Sequence, residues 1–496
     1  MEAVYPQALL DAFARQPESP AFEVGDRRVT RAELLDLIGR FAAGLRAAGA
    51  VPGTGVAVAT GVTPEGFAAM VAVNVLGCRL VAVRPGMTPT QLRHVVGQDL
   101  DFVVVDENSA TPELLDAVTG KVLRIGPELL AEFEEPVPVG RLDDVAQVLF
   151  TSGSTGNPKG VVFTYAAMTQ HWSWQPANWT TFTRDLSAGY QRFLLFGTLA
   201  SGVMMEHLAI CLLSGGTAVV PVGMPDFPWI VERLRVTACL LTVPRLHRVL
   251  DVLRGHRVNL TSLRMVKVAG SPLSAHRVAE AFERLGPAFR HAYGQTELGV
   301  ISWLSAQDVA HWPESLGSVG RPCTELDLEI RDEQGNVAPT GTVGEIYVRA
   351  PYQLSGYWRD LAETDEVLVD GWVRTRDLGH QDARGFLYLT GRSRDVIIVN
   401  AIIHYAGPIE RVLASHPDVD QAYVVSAPDE QTGEAAHGFL VAAGDREPDL
   451  DSLRTLVAQE LGEAAVPATL TLVAHVPVGP TGKPDKHRLL AAMRRP

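Results

Sequence analysis

Phe150-Thr151-Ser152-Gly153-Ser154-Thr155-Gly156-Asn157-Pro158-Lys159-Gly160-Val161-Val162-Phe163 decides the reading of this chain. The apolar run 145–150 predicts a buried strand, and 161–163 predicts another. Between them, residues 153–160 carry almost no side-chain bulk until Lys159. Gly153, Gly156 and Gly160 let the backbone turn its N–H groups toward one point. Ser152, Ser154 and Thr155 add hydroxyl donors, and Lys159 adds a cation. In chemical terms this is a phosphate cradle. A flexible turn of small residues is the bland alternative; it accounts for neither the lysine nor the flanking strands. Two sharper alternatives fail. A Walker loop ends in Lys-Ser/Thr, whereas Lys159 is followed by Gly160. A nucleophile elbow needs Gly-x-Ser-x-Gly, and Ser152 occupies the place of its first glycine.

The stretch closely resembles the signature of the adenylate-forming superfamily: acyl-CoA synthetases, aryl-CoA ligases, peptide-synthetase adenylation domains and firefly luciferase. The test of the resemblance is whether that superfamily's other motifs follow in order.

At 496 residues the chain is long enough for more than one domain and a large core. A hydrophobic fraction of 46% with 20% charged residues fits an ordered globular protein. The net charge of -14 argues against nucleic acid as a partner, because a phosphate backbone would be repelled. Cys78, Cys211, Cys239 and Cys323 are far apart and form no Cys-x-x-Cys pair, which predicts reduced thiols. The opening Met-Glu-Ala-Val-Tyr-Pro lacks a basic region ahead of an apolar stretch, so no signal peptide is expected. The longest uncharged apolar run, 193–205, is too short and too interrupted to span a bilayer. A cytoplasmic location is the resulting expectation.

Thr30-Arg31-Ala32-Glu33 is a capping box, followed by Leu34, Leu37, Ile38, Phe41 and Leu45 at helical spacing. Strand-like runs at 56–59, 80–83 and 102–105 alternate with helical ones at 64–77 and 89–96. That alternation predicts an α/β sheet with helices on its faces. Residues 168–179, with Trp172, Trp174 and Trp179, read as a helix packed on the core.

The remaining motifs take their roles from the resemblance. Phe196 is similar to an aromatic residue, often His, beside the family's acyl pocket. Peptide-synthetase adenylation domains place an aspartate in that neighbourhood to hold the substrate's α-amino group. No acidic residue occurs from 191 to 205 here, and a buried ammonium would be unpaired there. The substrate is therefore expected to be a carboxylic acid without an α-amine. Residues 266–271 followed by Pro272 resemble the strand and Gly-rich turn along the adenine face, with Gly270 and Ser271 at the nucleotide.

His291-Ala292-Tyr293-Gly294-Gln295-Thr296-Glu297 resembles the family's Tyr-Gly-x-Thr-Glu. Tyr293 would stack on adenine, Gly294 would let backbone approach it, and Gln295 would sit beside it. Thr296 would donate to phosphate, and Glu297 would ligate Mg2+ as a hard oxygen donor. Gly356-Tyr357-Trp358 matches a landmark read as structural. Arg374-Thr375-Arg376-Asp377 resembles the family's Thr-Gly-Asp, with Asp377 accepting from the ribose hydroxyls. Arg376 departs from the usual glycine and is expected to point away from the nucleotide.

Gly391-Arg392-Ser393-Arg394-Asp395 resembles the joint between the family's two domains, with Arg392 reaching ribose and phosphate and Arg394 as the hinge. Ala401 stands where the family has a glycine lining the pantetheine channel. Gly479-Pro480-Thr481-Gly482-Lys483 resembles the last motif, whose lysine bridges substrate carboxylate and α-phosphate.

The resemblance implies an α/β protein: a large N-terminal domain of stacked α/β sheets, 1–391, a hinge at 392–395, and a small mobile α+β C-terminal domain, 396–496. It implies a carboxylic acid:CoA ligase acting through an acyl-adenylate on an amine-free, hydrophobic acid, with ATP, Mg2+ and coenzyme A. Thr151 joins the cradle residues at ATP. Lys483, Thr296, Glu297 and Phe196 are the catalytic expectations. A carrier-protein pantetheine is the alternative acceptor, and a non-catalytic nucleotide-binding module is the alternative of another class.

Overall fold

The computed structural model describes residues 4–97, 99–151, 158–271, 273–393, 396–399, 402–429, 432–444, 446–479 and 484–493. Ser152, Gly153, Ser154, Thr155, Gly156, Pro272, Arg394, Ala401 and Lys483 lie outside them.

The cradle strands are Val145–Thr151 and Lys159–Thr164, and they pair antiparallel with Thr151 opposite Lys159. Thr151 and Lys159 therefore end the described part of this antiparallel pair side by side. Its second strand is crowded. A Cβ on Gly160 would lie 2.8 Å from Val148 Cγ1 and 3.0 Å from Trp358 Cβ. The hydroxyl residue of a Walker loop has no room at that position.

Among the described residues, the strands form four sheets. The hairpin belongs to a seven-stranded sheet whose parallel strands Gly55–Ala59, Arg79–Ala82 and Phe102–Val105 are nearly all buried. Such strands read as continuous apolar runs because helices cover both faces. A nine-stranded sheet carries Met265–Ala269, Phe289–Gln295 and Gly299–Leu304 as neighbours. Helix Pro64–Val75 packs on the first sheet and helix Gly202–Leu213 on the second; both are apolar almost all round. A helix without a polar face is stable only when buried, and both contribute to one large core.

Local signals account for the helix starts. Thr30 and Glu33 form the expected capping box at the head of Arg31–Ala47. Thr63 caps Pro64–Val75, with Pro64 in the first turn where its missing N–H costs nothing. The helix expected over 168–179 is shorter. It covers Tyr165–Gln170, and the chain then turns, so that Trp172 and Trp174 enter the core from a loop.

A five-stranded sheet includes Gly344–Arg349, Trp372–Gln381 and Leu387–Arg392. Within it, Tyr347 pairs with Arg374 and Glu345 with Leu378, so residues 375–377 bulge opposite Ile346. Bulges re-aim side chains beside sites. Here Arg376 takes a left-handed φ of 61°, a conformation in which glycine is ordinarily preferred.

The fourth sheet, with Val396–Val399, Val419–Asp429 and Gly433–Ala442, has its own apolar core and forms the smaller C-terminal domain. The chain is thus a mixed α/β protein with a large N-terminal and a smaller C-terminal domain. Asp420 of the smaller domain accepts from Arg277 of the larger, with His247 Nδ1 3.6 Å from the same carboxylate. All three are buried. Among the described residues no helix is long and apolar enough to cross a membrane.

Candidate active site

Three of the sequence motifs meet through a segment that the sequence reading treated as structural. Trp358 N–H donates to Gly160 O at 2.7 Å, and Ser355 N–H to Val162 O at 2.8 Å, fastening 354–358 to the cradle hairpin. Leu354 N–H donates to Glu297 O at 2.8 Å, fastening the same segment to the Tyr293–Glu297 motif. The Tyr357 hydroxyl donates to Glu297 Oε1 at 2.7 Å, and the Lys159 ammonium lies 5.9 Å from the Tyr357 ring centre. Burial, then the Glu297 charge, pushes the Tyr357 hydroxyl pKa up, so it stays a donor.

The Thr-x-Asp motif joins from the other side. Asp377 is buried and its carboxylate is well supplied with donors. Oδ2 accepts from the Tyr293 hydroxyl at 2.6 Å and from Gln295 Nε2 at 2.7 Å; Oδ1 accepts from Arg392 Nε at 2.9 Å. Tyr293, expected mainly as a stacking face, is therefore also a hydrogen-bonding post for Asp377. Burial and the neighbouring Asp377 raise its hydroxyl pKa well above the usual tyrosine value. Gly294 has a local reason besides nucleotide approach: a Cβ there would lie 2.2 Å from Gly299 O across the hairpin.

Arg376 does turn away from Asp377, and toward the cradle lysine's partner. Its Nη1 lies 2.5 Å from Glu363 Oε1, and Lys159 Nζ lies 2.6 Å from the same oxygen. Arg376 Nη2 reaches Glu366 at 2.8 Å. Burial alone would raise the Glu363 pKa; the bonds from Arg376 and Lys159 outweigh it and hold the carboxyl at about 2.

Thr151 closes the described part of the cradle, its hydroxyl 3.4 Å from Lys159 O. Thr296 and Glu297 share the turn between Phe289–Gln295 and Gly299–Leu304. Gly270, at φ 96°, and Ser271 follow the end of the neighbouring strand Met265–Ala269. Phe196 contacts a different set: its ring meets Phe227 edge-on at 5.7 Å with the Arg245 guanidinium 4.7 Å away.

The sequence reading also missed a buried polar chain. Tyr190 and Lys267 contact the two ring nitrogens of His207, Lys267 at 3.0 Å, and Lys267 lies 5.2 Å from the Trp303 ring centre. Burial pulls the Lys267 pKa down to about 8, against the pull of Glu206. Glu206 itself is buried 3.6 Å from His171 Nε2. A lysine inside the apolar run Met-Val-Lys-Val-Ala was the available signal.

A cradle-strand lysine, a turn glutamate and a ribose-type aspartate now stand around one junction. The sequence pattern described as AMP-binding enzyme matches residues 9–358, and its C-terminal domain pattern matches 408–483. The chain belongs to the AMP-binding enzyme family. This adenylate-forming family member is 31% identical to a medium/long-chain-fatty-acid–CoA ligase of Mycobacterium tuberculosis, over 97% of this chain and 89% of that one. It is 30% identical to a feruloyl-CoA synthase of Amycolatopsis sp, over 94% of each. Among solved structures it is similar to the amide bond synthetase from Marinactinospora thermotolerans, with 33% identity, a TM-score of 0.84, and coverage of 98% and 99% of the two chains.

The residues present suit MgATP. Glu297 keeps Oε2 as a hard oxygen donor of the kind Mg2+ takes beside phosphate and water; its Oε1 is positioned by Tyr357. Asp377 and Arg392 offer a fixed carboxylate and cation at the other end of the junction. As a family member the enzyme uses ATP and Mg2+.

Proposed function

We propose that this enzyme joins an amine-free carboxylic acid to the thiol of coenzyme A through an acyl-adenylate. The observation that carries the reading is the junction at residues 354–363, which brings Lys159, Glu297 and the Asp377 strand together. In the first half-reaction the acid's carboxylate oxygen attacks the α-phosphorus of ATP and pyrophosphate leaves. No protein nucleophile or base is needed. The protein's contribution is positioning and charge stabilisation by Lys159, Thr296, Glu297 and Lys483. Mg2+ held by Glu297 would neutralise charge on the phosphate oxygens. In the second half-reaction the thiol attacks the acyl carbon and AMP leaves. Residues 1–391 act as the large domain, 396–496 as the small one, and 392–395 as the hinge, with Arg394 rotating between the half-reactions. Ala401 then lines the route of the thiol.

Both curated relatives described above are acid–CoA ligases by name, which supports the thiol acceptor. Support for an amine-free acid comes from the acid-free stretch 191–205. Glu206 follows it, with His171 Nε2 3.6 Å from one carboxylate oxygen and its charge acting on buried Lys267.

A second reading is an amine acceptor, giving an amide. It is favoured by the 33% identity to an amide bond synthetase over nearly the whole of both chains. The test is pyrophosphate release from ATP with a panel of carboxylic acids, followed by mass spectrometry of products with CoA, a holo carrier protein or an amine offered separately. A thioester of CoA is the expected product. Amide with no thioester selects the second reading, and loading of the carrier alone selects a carrier-protein ligase. Exchange with amino acids and none with amine-free acids overturns the substrate class.

A further inference from the structure

Glu363 stands outside the nucleotide motifs, yet one of its oxygens holds the cradle lysine. The side chains of Lys159, Glu363 and Arg376 are 21%, 9% and 12% exposed, so solvent screens their contacts only in part. Four charges balance here: Lys159 and Arg376 against Glu363 and Glu366. A polyphosphate entering the cradle competes with Glu363 for the ammonium, and a carboxylate left beside phosphate is repelled unless a second cation holds it.

We propose that Glu363 is a positioning residue that sets the cradle's affinity for polyphosphate by competing for Lys159, and that Arg376 anchors Glu363 and weakens its hold on the lysine. The proposal rests on the function proposed above, and takes Lys159, the cradle's cation, to face the β- and γ-phosphates of ATP. Three features support it. Lys159 and Arg376 share a single carboxylate oxygen, so each cation lowers the charge available to the other. The bulge at 375–377 aims Arg376 and Asp377 to opposite sides, so one backbone feature serves both ribose and cradle. The main-chain N–H of Glu363 is fixed by the Asp360 cap at 3.0 Å, which limits its movement.

The predicted consequences run in opposite directions for two substitutions. Glu363→Gln keeps the shape and removes the competing charge, so MgATP should bind about tenfold tighter, the lower end of what one charge-assisted hydrogen bond contributes. Arg376→Gly removes the cation that competes with Lys159 for the shared Glu363 oxygen, so MgATP should bind several-fold more weakly. Glycine suits the left-handed backbone there, so this variant should fold normally. AMP lacks the β- and γ-phosphates and should bind all variants alike.

The experiment is calorimetric titration of the full chain with MgATP and, separately, AMP, for wild type, Glu363→Gln, Arg376→Gly and Lys159→Ala with and without Glu363→Gln. The expected result is tighter MgATP binding in Glu363→Gln, weaker binding in Arg376→Gly, unchanged AMP binding in both, and no effect of Glu363→Gln once Lys159 is Ala. Unchanged or weaker MgATP binding in a Glu363→Gln variant that binds AMP normally overturns the proposal. So does an undiminished Glu363→Gln effect in the Lys159→Ala background. If Glu363→Gln fails to fold, Arg376→Gly decides by its direction. Lys159→Ala that binds MgATP as tightly as wild type overturns the cradle reading itself, a different outcome from failure of the Glu363 proposal.

Discussion

The Tyr293 hydroxyl donates to Asp377 Oδ2 at 2.6 Å, and both residues are buried. A hydrogen bond to a charged group contributes ~1.5–3 kcal/mol. Tyr293→Phe keeps the ring and removes that bond, while Gln295 and Arg392 remain on the carboxylate. We expect a loss of stability in that range, read from urea unfolding, and weaker AMP binding. Asp377→Asn should be worse for nucleotide than for stability. Equal AMP affinity in Tyr293→Phe and wild type would mean that Asp377 needs no post.

Lys267 gives a pH signature. Its folded pKa is about 8, below the ordinary lysine value of about 10.4. A lysine depressed by folding binds fewer protons in the native state than in the unfolded one between those values. Stability therefore rises with pH across that window, and the cost of the buried ammonium is fully present below it. Lys267→Met should flatten the rise. Urea midpoints from pH 7 to 10.5 check it; parallel curves for the two proteins would refute it.

Asp420 should govern how the small domain sits. Removing one partner of a buried ion pair costs about 3–5 kcal/mol. Arg277 also bonds Glu280 at 2.7 Å, which places Asp420→Asn at the lower end. Burial holds the His247 pKa at about 4, so it stays neutral near pH 7 and adds no second positive charge beside Arg277. The expected readout is a lower melting temperature together with faster proteolysis between the domains. A lower melting temperature with unchanged proteolysis would make the pair structural only.

Lys483→Ala should separate the half-reactions. Charge at the α-phosphate is greatest during adenylation, where one fixed cation typically contributes ~100-fold in rate. Pyrophosphate release from ATP and acid should fall by that order, while thioester formation from synthetic acyl-adenylate and CoA stays near normal. Equal losses in both assays would contradict the domain rotation.

Local chemistry made much of this fold legible. Thr30 and Glu33 announced a helix start because a capping box satisfies its donors within four residues. The flanks of the cradle read correctly as strands because valine and phenylalanine crowd them. Glu363 was not legible. It stands in Leu-Ala-Glu-Thr-Asp-Glu, which looks solvated, and its partners are remote in sequence. Arg376 carried the clue. An arginine where the family has glycine calls for a carboxylate, and Glu363 and Glu366 stand three apart, on one helical face of Leu361–Val367. Lys267 was passed over because the strand around it was read for its end, where Gly270 and Ser271 lie, and not for its middle.

The fastening of 354–358 to both Gly160 and Glu297 fixes an order of assembly. The hairpin Val145–Thr151 with Lys159–Thr164 is local and can close early. Its bond to Trp358 closes a loop of nearly two hundred residues, and such long-range contacts form only after their entropy has been overcome. During synthesis the cradle must therefore wait, with Gly160 uncovered, until Trp358 has left the ribosome. A nascent chain stalled before that residue would display the signature sequence without its lid of tryptophan, and its exposed apolar strand would be a place for chaperones to bind.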